Sequence, residues 1–146
     1  MTPISREDYY FECLDLLRRN PPYVWGGRTL TGVDCSGFVA LSLKRASLGA
    51  FDRSGYNTDA MWTNWPRILS GEVKPGDLVL YFGKSTGPND VSHVMVCAGA
   101  GVCFGMPYGG SSDVDPVASR AAGKVAGIRK LTYRTDIAGF VRPPVI

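Results

Sequence analysis

A cysteine entered through a run of glycines and followed at once by an apolar helix constrains this chain more than any other feature. Residues 23–39 read Tyr-Val-Trp-Gly-Gly-Arg-Thr-Leu-Thr-Gly-Val-Asp-Cys-Ser-Gly-Phe-Val. Glycines at 26, 27 and 32 make the first half a turning, non-helical lead. Asp34-Cys35-Ser36-Gly37 then passes into Phe38, Val39, Leu41, Leu43 and Ala46, which predicts a central, buried helix over 35–47 closed by Gly49. Cys35 falls in the first turn of that helix, where unpaired N–H groups and the helix dipole favour an anion. A thiolate is such an anion, so the position predicts a lowered thiol pKa and a nucleophile.

The rest of the composition limits what this cysteine can serve. A length of 146 residues, with 45% hydrophobic and 20% charged, fits one globular domain spanning 1–146 with a core that needs no disulfides. The net charge is +3, and basic residues such as Arg18, Arg19, Lys44, Arg45, Lys84, Lys124, Arg129 and Lys130 are scattered, which argues against nucleic-acid binding. The four cysteines form no C-x-x-C pair, and with one histidine they give no zinc spacing, so neither a metal nor a cofactor is expected. Cys13, Cys97 and Cys103 read as small buried hydrophobes, and a Cys97–Cys103 hairpin disulfide is disfavoured. Residues 1–8 show no apolar core or cleavage site, and no stretch approaches a membrane span. The expectation is synthesis in the cytoplasm without a secretion signal and no membrane insertion.

The order of elements predicts an α+β fold. Ser5 can cap a helix over 5–19, with Tyr9, Cys13, Leu14, Leu16 and Leu17 as its apolar stripe and Pro21-Pro22 as its stop. A short helix capped by Asn57 is expected near Thr58-Asp59-Ala60-Met61-Trp62, with Trp62 and Trp65 packing on the core. After the turn Lys74-Pro75-Gly76-Asp77, strands are expected at 78–82, 91–98, 102–104, 125–131 and 137–141. A polar loop at 84–90 joins the first two, Gly99-Ala100-Gly101 makes a tight hairpin, and 105–124 reads as a long surface loop. Helices first and about five hairpin-connected strands after them predict helices packed on an antiparallel sheet.

A cysteine nucleophile needs a base near neutral pH, and His93 is the one imidazole available. Alternation within Val91-Ser92-His93-Val94-Met95-Val96 puts Val91, His93 and Met95 on one face and Ser92, Val94 and Val96 on the other. The chemistry these two residues allow is acyl transfer to water, with backbone N–H groups at the helix start stabilising the oxyanion. A third polar group normally orients the imidazole. No residue can be assigned to that role from local pattern.

Taken together, Tyr23-Val24-Trp25-Gly26-Gly27, Asp34-Cys35-Ser36-Gly37-Phe38-Val39, Pro75-Gly76-Asp77-Leu78-Val79 and Ser92-His93-Val94 resemble the signature of the NlpC-type cell-wall cysteine peptidases, which are papain-like. The resemblance runs from about residue 8 to residue 141. It implies Cys35 as nucleophile and His93 as base, with Tyr23 lining the site. It also implies that Asp34 and Ser36 help hold the peptide stem of peptidoglycan, and that the bond cut lies between γ-D-glutamate and a diamino acid. Asp34 is equally a good helix N-cap, and plain core packing accounts for Trp25. The family's usual third residue falls here at Gly105, which has no side chain to offer. A backbone carbonyl, a loop residue such as Ser111 or Asp113, or reduced activity remain open.

Three functions follow in order. The first is a peptidase of the peptidoglycan stem, working through a thioester and acting at the wall once delivered by a phage particle, lysis or injection. The second is a weak or inactive relative serving as a phage tail or binding component. The third is a papain-like amidase or acyl transferase on another substrate. Phage tail proteins or an inhibitor protein are the further partners implied.

Overall fold

The computed structural model describes residues 3–52, 56–83 and 90–146. The polar loop expected at 84–90 therefore lies, apart from Asp90, outside the described residues.

Three helices start where a side chain can cap them. Helix α1 (Arg6–Arg19) is capped by Ser5, whose Oγ accepts from Asp8 N–H at 3.0 Å. Helix α2 (Cys35–Ala46) is capped by Asp34 and α3 (Thr58–Asn64) by Asn57. In α2 the eight residues from Ser36 to Leu43 are all buried, as an apolar circumference requires. Tyr9, Cys13 and Leu16 of α1 pack inward, whereas Leu14 turns out to be exposed. Arg45 of α2 reaches back to Glu12 at 2.8 Å and Asp15 at 3.1 Å, locking the two helices side by side.

The glycine lead folds as a small hairpin of β1 (Arg28–Thr29) and β2 (Gly32–Val33). The main sheet contains β3 (Arg67–Ile68), β4 (Leu78–Tyr81), β5 (His93–Gly99), β6 (Val102–Gly105), β7 (Gly127–Lys130) and β8 (Ile137–Val141), in the antiparallel order β3-β8-β4-β5-β6-β7. Among the described residues the sheet has six strands rather than five, because the two-residue β3, too short to show periodicity, pairs with β8. The expected loop at 105–124 contains a further helix, α4 (Pro116–Ala121), started by an Asp115 cap and a proline in the first turn.

Strand alternation divides the core. Leu78, Leu80, Val94, Val96 and Phe104 join Tyr9, Phe38, Leu43 and other helix residues in one cluster. Val79, Tyr81, Met95, Cys97 and Cys103 lie in a second, covered by Leu131, Tyr133, Ile137 and Phe140. Val91 precedes β5 and packs in the helix-side cluster, not beside Met95 as strict alternation predicts. Trp65 is buried and Trp62 half-buried, with Arg67 3.6 Å over its ring. Cys97 and Cys103 face each other across β5 and β6 as free, buried thiols.

The connection from β7 to β8 sets the architecture of the site. These strands are four positions apart, so residues 131–136 cross the second face of the sheet. The crossing is pinned by Leu131 N–H to Gly101 O at 2.8 Å, Tyr81 Oη to Leu131 O at 2.7 Å and Phe82 N–H to Asp136 O at 2.9 Å.

Candidate active site

Backbone contact places Cys35. A Cβ on Gly37 would lie 1.9 Å from the Gly27 carbonyl oxygen, so only glycine lets the hairpin lead close on the start of α2. Asp34 ties the same two segments together. Its Oδ1 accepts from Gly37 N–H at 2.6 Å and from Ser36 Oγ at 3.2 Å, and its Oδ2 accepts from Gly26 N–H at 3.0 Å. Cys35 is partly buried at the helix start, with Sγ 4.0 Å from the Ser92 carbonyl.

His93 enters from the sheet. It is the first residue of β5, opposite Tyr81 in register, and only 4% exposed. The hydrogen bond from Thr58 Oγ1 to Val91 O at 3.2 Å and that from Ser92 Oγ to Phe82 O at 2.7 Å fix the approach to it. Cys35 and His93 line one cleft of about 570 Å³, together with Tyr23, Asp34, Ser36, Tyr108, Gly110 and Arg134. Tyr23 is buried, and its hydroxyl oxygen accepts from Gly110 N–H at 3.1 Å. Trp25, expected in the core, is 55% exposed and lines the cleft instead, in a segment tied by its backbone N–H to the Asp113 carbonyl at 2.8 Å.

The electrostatics differ from the helix-dipole expectation. Burial first, and then the Asp34 carboxylate, push the Cys35 thiol up to about 11. Backbone N–H groups of Val94, Ser36 and Cys35 oppose that rise without overcoming it. Burial is the main reason, and the capping carboxylate adds to it, because it sits at the helix N-terminus and offsets there the positive potential that a thiolate would use. His93 is held down to about 3 by burial and then by Arg134, with Asp136 pulling the other way. The resting pair is therefore a neutral thiol and a neutral imidazole. Burial, with Asp34 and Cys35 nearby, also raises the Tyr23 hydroxyl to about 12, so it stays protonated.

Neither Ser111 nor Asp113 reaches His93. Ser111 is exposed in a turn, and Asp113 forms an ion pair with Lys124 at 2.8 Å. The ring nitrogen Nε2 of His93 instead lies 2.6 Å from Tyr133 Oη. Tyr133 and Arg134 went unnoticed in the sequence because only the crossing of residues 131–136 carries them to the cleft. Asp59 and Asp90 also line it, and burial, followed by the neighbouring Asp90, raises the Asp59 carboxyl. Among the described residues no group of three or more His, Cys, Asp or Glu could hold a metal ion, and no helix is long and apolar enough to cross a membrane.

Comparison with known proteins adds to this geometry. The chain is 39% identical over 69 residues to the "Probable peptidoglycan endopeptidase LytE" of Bacillus subtilis (strain 168), which covers 47% of this chain and 19% of that protein. It is 35% identical over 79 residues to the "Probable endopeptidase p60" of Listeria innocua serovar 6a, covering 54% of this chain and 15% of that one. The chain thus spans less than a fifth of either curated relative. The solved NlpC/p60 domain of the peptidoglycan hydrolase SagA superposes with a TM-score of 0.66 at 23% identity, covering 96% of this chain and 100% of that domain. A sequence model described as the NlpC/P60 family matches residues 20–126, from the lead into Tyr23, past both Cys35 and His93, to the edge of β7; the chain belongs to the NlpC/P60 family.

Proposed function

We propose that this chain is a cysteine peptidase hydrolysing an amide bond in the peptide stem of peptidoglycan, between γ-D-glutamate and the diamino acid. The observation that carries the reading is the meeting of Cys35, at the start of a buried helix, with His93, at the start of β5, in one cleft of a chain of this family. A cleft of about 570 Å³ suits a few residues of an extended stem, and Asp59, Asp90 and Arg134 offer charges of both signs to a peptide that also carries both.

The resting charges select a general-base route. His93 takes the Cys35 proton as Sγ attacks the scissile carbonyl carbon, which becomes a tetrahedral oxyanion. The N–H of Cys35, in the first turn of α2, has no carbonyl four residues back within the helix and is a donor for that oxyanion. The carbon–nitrogen bond then breaks, and the leaving amine takes the proton from His93. Water, deprotonated by His93, attacks the thioester; the carbon–sulfur bond breaks and Cys35 recovers its proton. Tyr23 and Ser36 border the nucleophile as substrate contacts, and Asp34 holds the cleft wall in place.

The test is digestion of purified stem fragments by the wild type and Cys35→Ala, with products read by mass spectrometry. Cleavage at the γ-D-glutamyl bond by the wild type alone is the expected result. Cleavage elsewhere moves the assignment to a related amidase, and no cleavage of any stem chemotype ends the peptidase reading.

A further inference from the structure

Gly105, the position where the family resemblance expects the group that orients the base, lies on β6 against Met95 and has no side chain to reach His93. Gly105 pairs with Gly127 on β7, so that neighbour offers no side chain either. The ring must still be held, since an imidazole free to turn about its side-chain bonds presents either nitrogen to the cleft.

Tyr133 supplies the missing contact from the opposite direction. It ends a 3-10 turn, Leu131–Tyr133. Its ring packs edge-on against Tyr81 at 5.7 Å between centroids, and Tyr81 in turn anchors the turn through the Leu131 carbonyl at 2.7 Å. The hydroxyl is thereby set 2.6 Å from His93 Nε2. With Nε2 so engaged, Nδ1 is the nitrogen left for the cleft that Cys35 shares.

We infer that Tyr133 is the positioning residue of this site: its hydroxyl oxygen accepts the Nε2–H of His93 and holds the ring with Nδ1 bare towards Cys35. The inference rests on the reading of Cys35 and His93 as the reacting pair. The proton count closes. The S–H bond of Cys35 breaks as an N–H bond forms at Nδ1. The resulting imidazolium keeps Nε2–H donated to Tyr133 Oη, and Tyr133 keeps its own proton throughout. Burial raises the phenol pKa, in keeping with a partner that stays neutral. A phenol lends the imidazolium a dipole but no full charge, which fits a histidine that protonates only transiently during turnover. An aromatic arm from the sheet crossing therefore replaces a polar residue on the adjacent strand.

The single histidine makes the test direct. Selective nitrogen-15 labelling of histidine reports which ring nitrogen carries the proton at neutral pH. The wild type is expected to carry it on Nε2, and Tyr133→Phe to show a mixture of both tautomers. On stem fragments, Tyr133→Phe is expected to lose about 100-fold in kcat with KM changed less than about twofold, the pattern of a mispositioned base. A wild-type proton on Nδ1 overturns the inference, as does a Tyr133→Phe enzyme with unchanged kcat. Should Tyr133→Phe fail to fold, the wild-type tautomer alone decides. A wild type that cleaves no stem fragment yet carries its proton on Nε2 sinks the peptidase reading and leaves the positioning role standing.

Discussion

Asp77 and Arg142 form a two-pronged ion pair, with Nε to Oδ1 at 3.0 Å and a terminal guanidinium nitrogen to Oδ2 at 2.8 Å. Asp77 is fully buried and also accepts from Arg6 at 3.0 Å and from Lys74 N–H at 2.7 Å. One carboxylate thus ties the start of α1, the entry to β4 and the segment after β8. Burial raises its pKa, but Arg142, Lys74 N–H and Arg6 outweigh that and leave it lowered. Asp77→Asn removes the charge and leaves two guanidinium groups half-paired, at a cost of about 3 kcal/mol. Urea unfolding is expected to show that loss, with alkylation of Cys35 unchanged in the folded protein.

Gly37→Ala tests the contact that seats Cys35. The added carbon meets the Gly27 carbonyl at 1.9 Å and Asp34 Oδ1 at 2.9 Å, so the hairpin must lift off the helix start. A loss of about 2–3 kcal/mol in stability is expected from such overpacking. Iodoacetamide should also label Cys35 at a changed rate, because the Gly26 and Gly37 bonds to Asp34 break together.

The pH dependence of folding isolates His93. An unfolded histidine titrates near 6.5, whereas burial and Arg134 hold the folded one at about 3. Between those values the unfolded chain binds a proton that the folded chain refuses. The contribution of His93 to stability is therefore fully present above pH 6.5 and is lost progressively as pH falls. At pH 5 the loss is about 2 kcal/mol relative to pH 8. With no other histidine in the chain, His93→Gln should flatten the urea midpoint between pH 7 and 5.

Arg134→Gln should raise the His93 pKa. The guanidinium is the second cause of its low value, after burial, and it also pairs with Asp136 at 2.8 Å. Removing the cation frees the Asp136 carboxylate, and both changes favour the imidazolium. A rise of about one pH unit is expected in an NMR titration of the single histidine. The acid limb of activity should move up with it, because the base must be neutral to accept the thiol proton.

What could be foreseen from the residues was what they announce locally. Ser5, Asp34 and Asn57 mark helix starts because capping is a contact within three residues. Cys35 stands out by its place between a glycine-rich lead and an apolar helix, and His93 as the one histidine of the chain. Asp115-Pro116 carried the signal for α4, but the glycines and serines around it obscured the helix. Tyr23 and Trp25 look alike in the sequence, two aromatic residues in one short segment, yet Tyr23 is buried and Trp25 is 55% exposed. Tyr133 had no local mark at all, since its role exists only where a connection crosses the sheet.

The position of β8 bears on how such a molecule comes into being on the ribosome. Residues 137–141 emerge after the other described strands of the sheet, yet they lie between β3 and β4. Until they arrive, the edge of β4 stands open, Asp77 lacks Arg142, and residues 131–136 have no far end to draw them across the sheet. Helix α2 is made before the half of the cleft that contains Tyr133 and Arg134, and that half is assembled through pairings of long sequence separation. The nascent chain therefore carries Cys35 and His93 before Tyr133 has a fixed place beside them, and the cleft closes only once β8 has inserted between β3 and β4.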